Sequence, residues 1–406
     1  MDDLAWNLGN PGDAVTKSPI PGKFTDGVQF QGAKLIFGPA TPINGSGLAY
    51  DVHPLKGPMV TQTLRGMRNS GAMHWRGDRA VGLYGTNATD SNLSFKNFGI
   101  AFQGLLGNPA PMDEASMQKF ADYQLNVMMP PNPIRNLDNS LTLAQQRGSA
   151  FYFGDRPADG FKLSLFGQSI SDNNNCNGCH TIDSSKGQFG TGTMISFEGI
   201  TQIFKVPQLR NMYAKVGRFG SPAIPFSSKP TTGHLGDQVR GYGFVHDGTA
   251  DTLAHFFTVR VFAPTLNSGF PLINPDATRS DVEAFMHAVD SDLAPIVGQQ
   301  VTLTGTNATS VGPRIDLMIT RAKTAFTSKE LGGTVTECDL IASVVEGGVR
   351  KGYFFDVSNS SFIDAKGVAK SDAALRALAG SAGQEVTYTC AVPGSGRRIA
   401  YTVASN

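Results

Sequence analysis

Cys176-Asn177-Gly178-Cys179-His180 decides how this chain is read. Two thiols three positions apart on one tight turn reach both vinyl groups of a porphyrin, and the next residue sets an imidazole under its iron. The chain holds 4 Cys and 7 His. At those frequencies a C-x-x-C-H string arises by chance roughly 0.0007 times in this length, so accident does not account for it. Zinc or dithiol chemistry is the rival reading of a C-x-x-C, but zinc needs a second Cys or His pair at ligand spacing, and none lies nearby. The motif therefore implies one covalent c-type haem, bonded through Cys176 and Cys179 with His180 as an axial iron ligand.

Working outward, residues 143–152 read as a short amphipathic helix leading to the motif, with Gly148 allowing close helix contact. Residues 279–289 read as a second helix, capped by Ser280 and apolar at Val282, Phe285, Met286 and Val289. Nearer the N-terminus, Met117, Phe120, Ala121, Leu125 and Met128 form one apolar stripe. It ends before Pro130-Pro131-Asn132-Pro133, which reads as an interdomain linker. Beyond residue 300 the texture changes: 313–325 is helical in pattern, 352–357 and 385–389 are strand-like, and 371–379 is a capped helix stopped by Gly380. Cys338 and Cys390 have no His partners there, so in an oxidising compartment they are expected to form a disulfide.

Composition narrows the class further. Lys plus Arg is 34 against 33 Asp plus Glu, with no charge run, so neither nucleic acid nor anionic lipid is an expected partner. No apolar run reaches the roughly 18 residues of a transmembrane helix. A chain of 406 residues exceeds one ordinary core and implies two or three domains. The start, Met1-Asp2-Asp3-Leu4, has neither the basic residues nor the apolar stretch of a secretory signal. Because c-type haem is attached outside the cytoplasm, the expectation is a trimmed, mature or partial chain of a periplasmic or otherwise exported protein. No Ser/His/Asp arrangement, phosphate-binding glycine loop or Rossmann fingerprint stands out, which disfavours hydrolase, kinase and nicotinamide chemistry.

Phe204-Lys205-Val206-Pro207-Gln208-Leu209-Arg210-Asn211, then Phe244-Val245-His246-Asp247-Gly248-Thr249 and Thr252-Leu253, resemble the haem domains of bacterial di-haem cytochrome c peroxidases. That superfamily, which includes peroxidases, a methylamine dehydrogenase maturation enzyme and rubber oxygenases, places one C-x-x-C-H in each of two tandem cytochrome c domains. This chain shows one. Its first half repeats part of the pattern: Thr63-Leu64-Arg65-Gly66-Met67 parallels Gln208-Leu209-Arg210-Asn211-Met212, and His74-Trp75-Arg76-Gly77-Asp78 parallels His246-Asp247-Gly248. In larger relatives such segments follow a first haem motif.

The resemblance implies a mainly α fold of tandem cytochrome c-like domains followed by a small mixed α/β C-terminal domain. Residues 1–140 are then a partial cytochrome c-like domain without a haem motif, 141–300 the haem domain, and 301–406 a disulfide-linked α+β domain. Relatives also hold a calcium ion between domains, which no ligand spacing supports here. Six-coordinate iron would need a second ligand, for which His246, His255, Met194 and Met212 are the candidates beside an open site. Arg210 is the candidate partner of a haem propionate, a role suited to a bidentate guanidinium. By the internal alignment Arg65 and His74 would serve the absent first haem. Three functions follow as alternatives: a c-type cytochrome exchanging electrons with a redox protein or a small donor or acceptor, a peroxidase- or oxygenase-like oxidoreductase of which this is a partial chain, and a haem-containing structural or docking module.

Overall fold

A computed structural model describes residues 5–7, 58–70, 73, 81–82, 85–86, 90–158, 175–190, 195–197, 203–217, 241–246, 248, 250–259 and 262–403. The chain divides into two compact units, residues 1–129 with 141–289, and residues 130–140 with 290–406.

In the first unit β1 (Ala5–Asn7) pairs with β2 (Pro58–Val60) and β3 (Val81–Gly82) with β4 (Gly85–Thr86), both antiparallel. Asp90 starts α1 (Ser91–Lys96) by accepting the Asn92 and Leu93 N–H groups at 2.9 and 3.0 Å. After α2 (Gly99–Gly104) comes α3 (Glu114–Leu125), capped by Asp113. Met117, Ala121 and Leu125 are buried on α3. Phe120, expected on the same stripe, is 51% exposed and meets Phe102 edge to face instead.

The elements around residue 176 follow. α4 (Leu143–Phe153) begins with a capping box in which Thr142 and Gln145 satisfy each other's backbone N–H. α5 (Cys176–Cys179) is the single turn bearing the motif. The hairpin of β5 (Ile182–Asp183) and β6 (Gln188–Phe189) comes next, then the pair β7 (Ile195–Phe197) and β8 (Ile203–Lys205). α6 (Leu253–Phe256) precedes α7 (Pro275–His287). The helix expected from residue 279 starts four residues earlier because Pro275 occupies the first helical position, where a missing N–H costs nothing. α4 crosses α7 closely: a Cβ on Gly148 would run into the Asp281 carbonyl and lie 2.8 Å from Phe285 Cβ. Tyr152, Phe189, Leu209, Leu253, Phe257 and Phe285 form one core with these helices.

The second unit is built on a six-stranded antiparallel sheet. β9 (Gln300–Leu303) leads into α8 (Ala308–Arg321), and β10 (Ala325–Ser328) with β11 (Gly333–Thr336) makes a separate hairpin. Long strands β12 (Asp339–Glu346) and β13 (Val349–Asp356) are followed by β14 (Ser361–Asp364), β15 (Ala369–Lys370), α9 (Asp372–Leu378), β16 (Val386–Ala391) and α10 (Gly396–Val403). The sheet order is β15-β14-β13-β12-β16-β9. Side chains alternate along the strands: Val386, Tyr388 and Cys390 of β16 are buried with Ile315 and Met318 of α8 and Leu375 of α9, while α10 meets the opposite face at Gly352 and Phe354 of β13. Cys338 is disulfide-bonded to Cys390, with Cα atoms 5.3 Å apart. Pro313 lies inside α8 and not at its start, one turn in, where it forgoes a single intrahelical bond.

The expectation of a mainly α chain of tandem cytochrome c-like domains is overturned: the protein is mixed α and β. The strands of the first unit are pairs only two or three residues long, too short for a period-two pattern to register. Those of the second unit carry a full sheet. Among the described residues no helix is long and apolar enough to cross a membrane.

Candidate haem site

Asn175 builds the motif turn. Its side-chain oxygen accepts the Gly178 N–H at 2.8 Å, and its amide donates to the Gly154 carbonyl at 2.8 Å, tying the turn to the end of α4. Cys176 opens α5, half-buried, and His180 closes it, donating its N–H to the Cys176 carbonyl at 2.8 Å. The His180 carbonyl in turn accepts the hydroxyl of Tyr152, a fully buried residue of α4. Both backbone groups of His180 are therefore fixed before its ring is considered.

The ring is fixed as well. Nδ1 lies 2.8 Å from the Gly190 carbonyl and 3.3 Å from that of Pro207. Carbonyl oxygens only accept, so Nδ1 carries the proton, and the lone pair of the neutral ring sits on Nε2. Burial pushes the His180 pKa below its ordinary value, and the two carbonyl bonds oppose that by less. Gly190 has φ +99°, in the left-handed region, and a Cβ there would collide with the Leu209 side chain. Its own N–H is held by the Thr181 carbonyl at 2.7 Å. A neutral imidazole whose Nδ1–H is bound by fixed backbone acceptors, one turn from a thiol, fits the protein side of a covalent haem attachment. The Cys179 side chain lies outside the described residues.

Arg210 is buried, 3% exposed. It donates from Nη2 to the Gly66 carbonyl at 2.7 Å and from Nε to Gln208 Oε1 at 2.9 Å, with its guanidinium 4.6 Å from the Phe189 ring centre. It thus ties the segment around Arg210 to the segment around Gly66. The residues following Arg65 and Arg210, Gly66 and Asn211, both have φ +62°. Arg65 itself is exposed and reaches the Met128 carbonyl at 3.5 Å.

His246 is 7% exposed, and its carbonyl accepts the Val60 N–H at 2.8 Å. The preceding Val245 has φ +67°, a conformation costing a β-branched residue on the order of 1–3 kcal/mol. His255 lies on α6, its N–H capped by Thr252 at 3.0 Å and its Nδ1 2.8 Å from Asp251 Oδ1. Met212 is buried in the core of this unit. Met194, His74, Trp75 and Asp247 lie outside the described residues. Among the described residues no three His, Cys, Asp or Glu side chains gather as a self-contained metal cluster.

Tyr152, Asn175, Gly190 and Asp251 were not singled out from sequence as site residues. Asn175 had a signal, a capping residue directly before the motif, and so did Asp251, four residues before His255 on a short helix. Pro207 and Gly190 act through carbonyls, which side-chain identity does not reveal.

No family model and no curated protein matches the chain. Among solved structures, "Kuenenia stuttgartiensis Hydrazine Synthase Pressurized with 20 bar Xenon" matches with a TM-score of 0.36 at 16% identity, over 68% of this chain and 90% of that one. A likeness that slight carries no argument about fold or chemistry.

Proposed function

We propose that the protein is a c-type cytochrome, passing single electrons outside the cytoplasm through one haem bonded at Cys176 and Cys179. The observation that carries this reading is His180, whose Nδ1–H is committed to the Gly190 and Pro207 carbonyls while Nε2 keeps its lone pair. Haem bound there supplies a one-electron iron couple whose potential follows ligand basicity and burial. The chain's residues set both. Tyr152 and Asn175 hold the turn, the two carbonyls raise the basicity of the imidazole, and Phe189, Leu209 and Phe257 keep water from the surrounding core.

The expected partner is a redox protein or a small donor or acceptor. Spectroelectrochemical titration of the haem-loaded full chain tests the proposal. A single reversible one-electron wave, with electron exchange to small mediators and no turnover with peroxide, is the expected result. Sustained peroxide-driven oxidation of an added donor would replace it with the peroxidase-like reading.

A further inference from the structure

We propose that His255, held in place by Asp251, supplies the second axial imidazole to the iron ligated by His180, and that Asp251 is its positioning residue. The inference rests on the haem reading of residues 176–180.

His180 turns Nδ1 onto the Gly190 and Pro207 carbonyls, and His255 turns its Nδ1 onto Asp251 Oδ1 at 2.8 Å, each oxygen serving as acceptor. An imidazole donating Nδ1–H to a carboxylate has its Nε2 lone pair set for a metal, and ligating histidines almost always carry such an outer partner.

The pair lies away from water, with the Asp251 side chain 4% exposed and that of His255 10%. Burying a carboxylate is costly unless a donor compensates it, so this arrangement is not an incidental surface contact. It is also rigid. Thr252 caps the His255 N–H, the Asp251 carbonyl accepts from Gly217 at 2.9 Å, and Glu283 of α7 accepts from Ala254 at 3.1 Å. The flanking Leu253 and Phe257 are buried in the core against which Cys176 packs. The turns bearing His180 and His255 are thus anchored in one core.

A carboxylate bound to Nδ1–H lends the imidazole imidazolate character, which favours ferric over ferrous iron. Replacing Asp251 therefore raises the reduction potential without removing the ligand, whereas replacing His255 removes it.

The experiment uses the full chain produced with c-type haem maturation, its haem content measured first by pyridine haemochrome. Absence of haem would overturn the haem reading itself, and this inference with it. With haem present, the ferric wild type is expected to give a low-spin EPR spectrum. His255→Ala and the near-isosteric His255→Gln are expected to lose that signal for a high-spin one, and added imidazole to restore it. Asp251→Asn is expected to stay low-spin with an upward shift in potential. A high-spin wild type, or His255 variants that stay low-spin, would overturn the inference while leaving haem attachment standing. So would an unmoved potential in Asp251→Asn, because a purely structural pair changes stability without touching the iron.

Discussion

Placing one methyl group at Gly148 should separate the two helices that frame the proposed haem site. Alanine is favoured over glycine inside a helix by about 1 kcal/mol, so Gly148→Ala on an isolated α4 would stabilise it. In the folded chain that methyl would occupy the same space as the Asp281 carbonyl and lie 2.8 Å from Phe285 Cβ. The first obstacle is backbone, which cannot rotate aside as a side chain can. Overpacking of this kind costs about 1–3 kcal/mol, and moving α4 from α7 also loosens Tyr152, whose hydroxyl holds the His180 carbonyl. The net expectation is a loss of about 1–2 kcal/mol. At Gly104, the last residue of α2, an added methyl would meet nothing within 4 Å, so Gly104→Ala is the control and should gain a few tenths to about 1 kcal/mol. Urea unfolding followed by far-UV circular dichroism reads both midpoints. Gly148→Ala as stable as the wild type, or stabilised alongside Gly104→Ala, would refute the close crossing.

Tyr152→Phe keeps the buried ring but leaves the His180 carbonyl without its hydroxyl donor, and should cost about 1–2 kcal/mol in the same assay. For Glu346, burial works to raise the pKa, but hydrogen bonds from Lys370, Tyr353 and Lys351 outweigh it and hold the carboxyl down at about 2. A folded-state pKa below the unfolded one gives stability that is present above the ordinary carboxylate pKa and lost as pH falls toward 2, about 3 kcal/mol in all. Denaturation of wild type and Glu346→Gln at pH 7 and pH 2.5 should therefore show a gap that narrows at the acid end, and a gap independent of pH would count against the network. Replacing both Cys338 and Cys390 by Ser opens a link across 52 residues, and should lower stability by about 4 kcal/mol, read as a drop in thermal midpoint without reductant.

Much of the site is legible in residue spacing because its parts are local. Cys176, Cys179 and His180 lie within one turn, and the helices on either side announce themselves through Thr142 with Gln145 and through the apolar face of Val282, Phe285 and Met286. At the two positions that the sequence parallel aligns after Arg65 and Arg210, Gly66 and Asn211, the backbone is left-handed in both. What the pattern does not disclose is non-local or carried by the backbone. The acceptors of His180 are carbonyls ten and 27 residues away, and Arg210 reaches across 144 residues to Gly66. The C-terminal region reads as mixed from its strand-like segments, but the weight of β structure in the whole chain does not show in the sequence, for two reasons. Ladders such as β5 with β6 are two residues long, and the second unit's sheet brings β9 beside β16 although α8, α9 and four strands of the same sheet lie between them in the chain. Phe120 shows the converse error, since helical spacing placed it on a buried stripe whereas it meets Phe102 edge to face and stays 51% exposed.

The central claim is a covalent haem on the turn at residues 176–180, and intact-protein mass spectrometry under denaturing conditions tests it most directly. Protein produced with c-type haem maturation should carry the mass of one haem that acid-acetone extraction does not remove, and the Cys176→Ala, Cys179→Ala double variant should carry none. A wild-type chain at its bare polypeptide mass, or a haem that extraction strips away, would contradict the account.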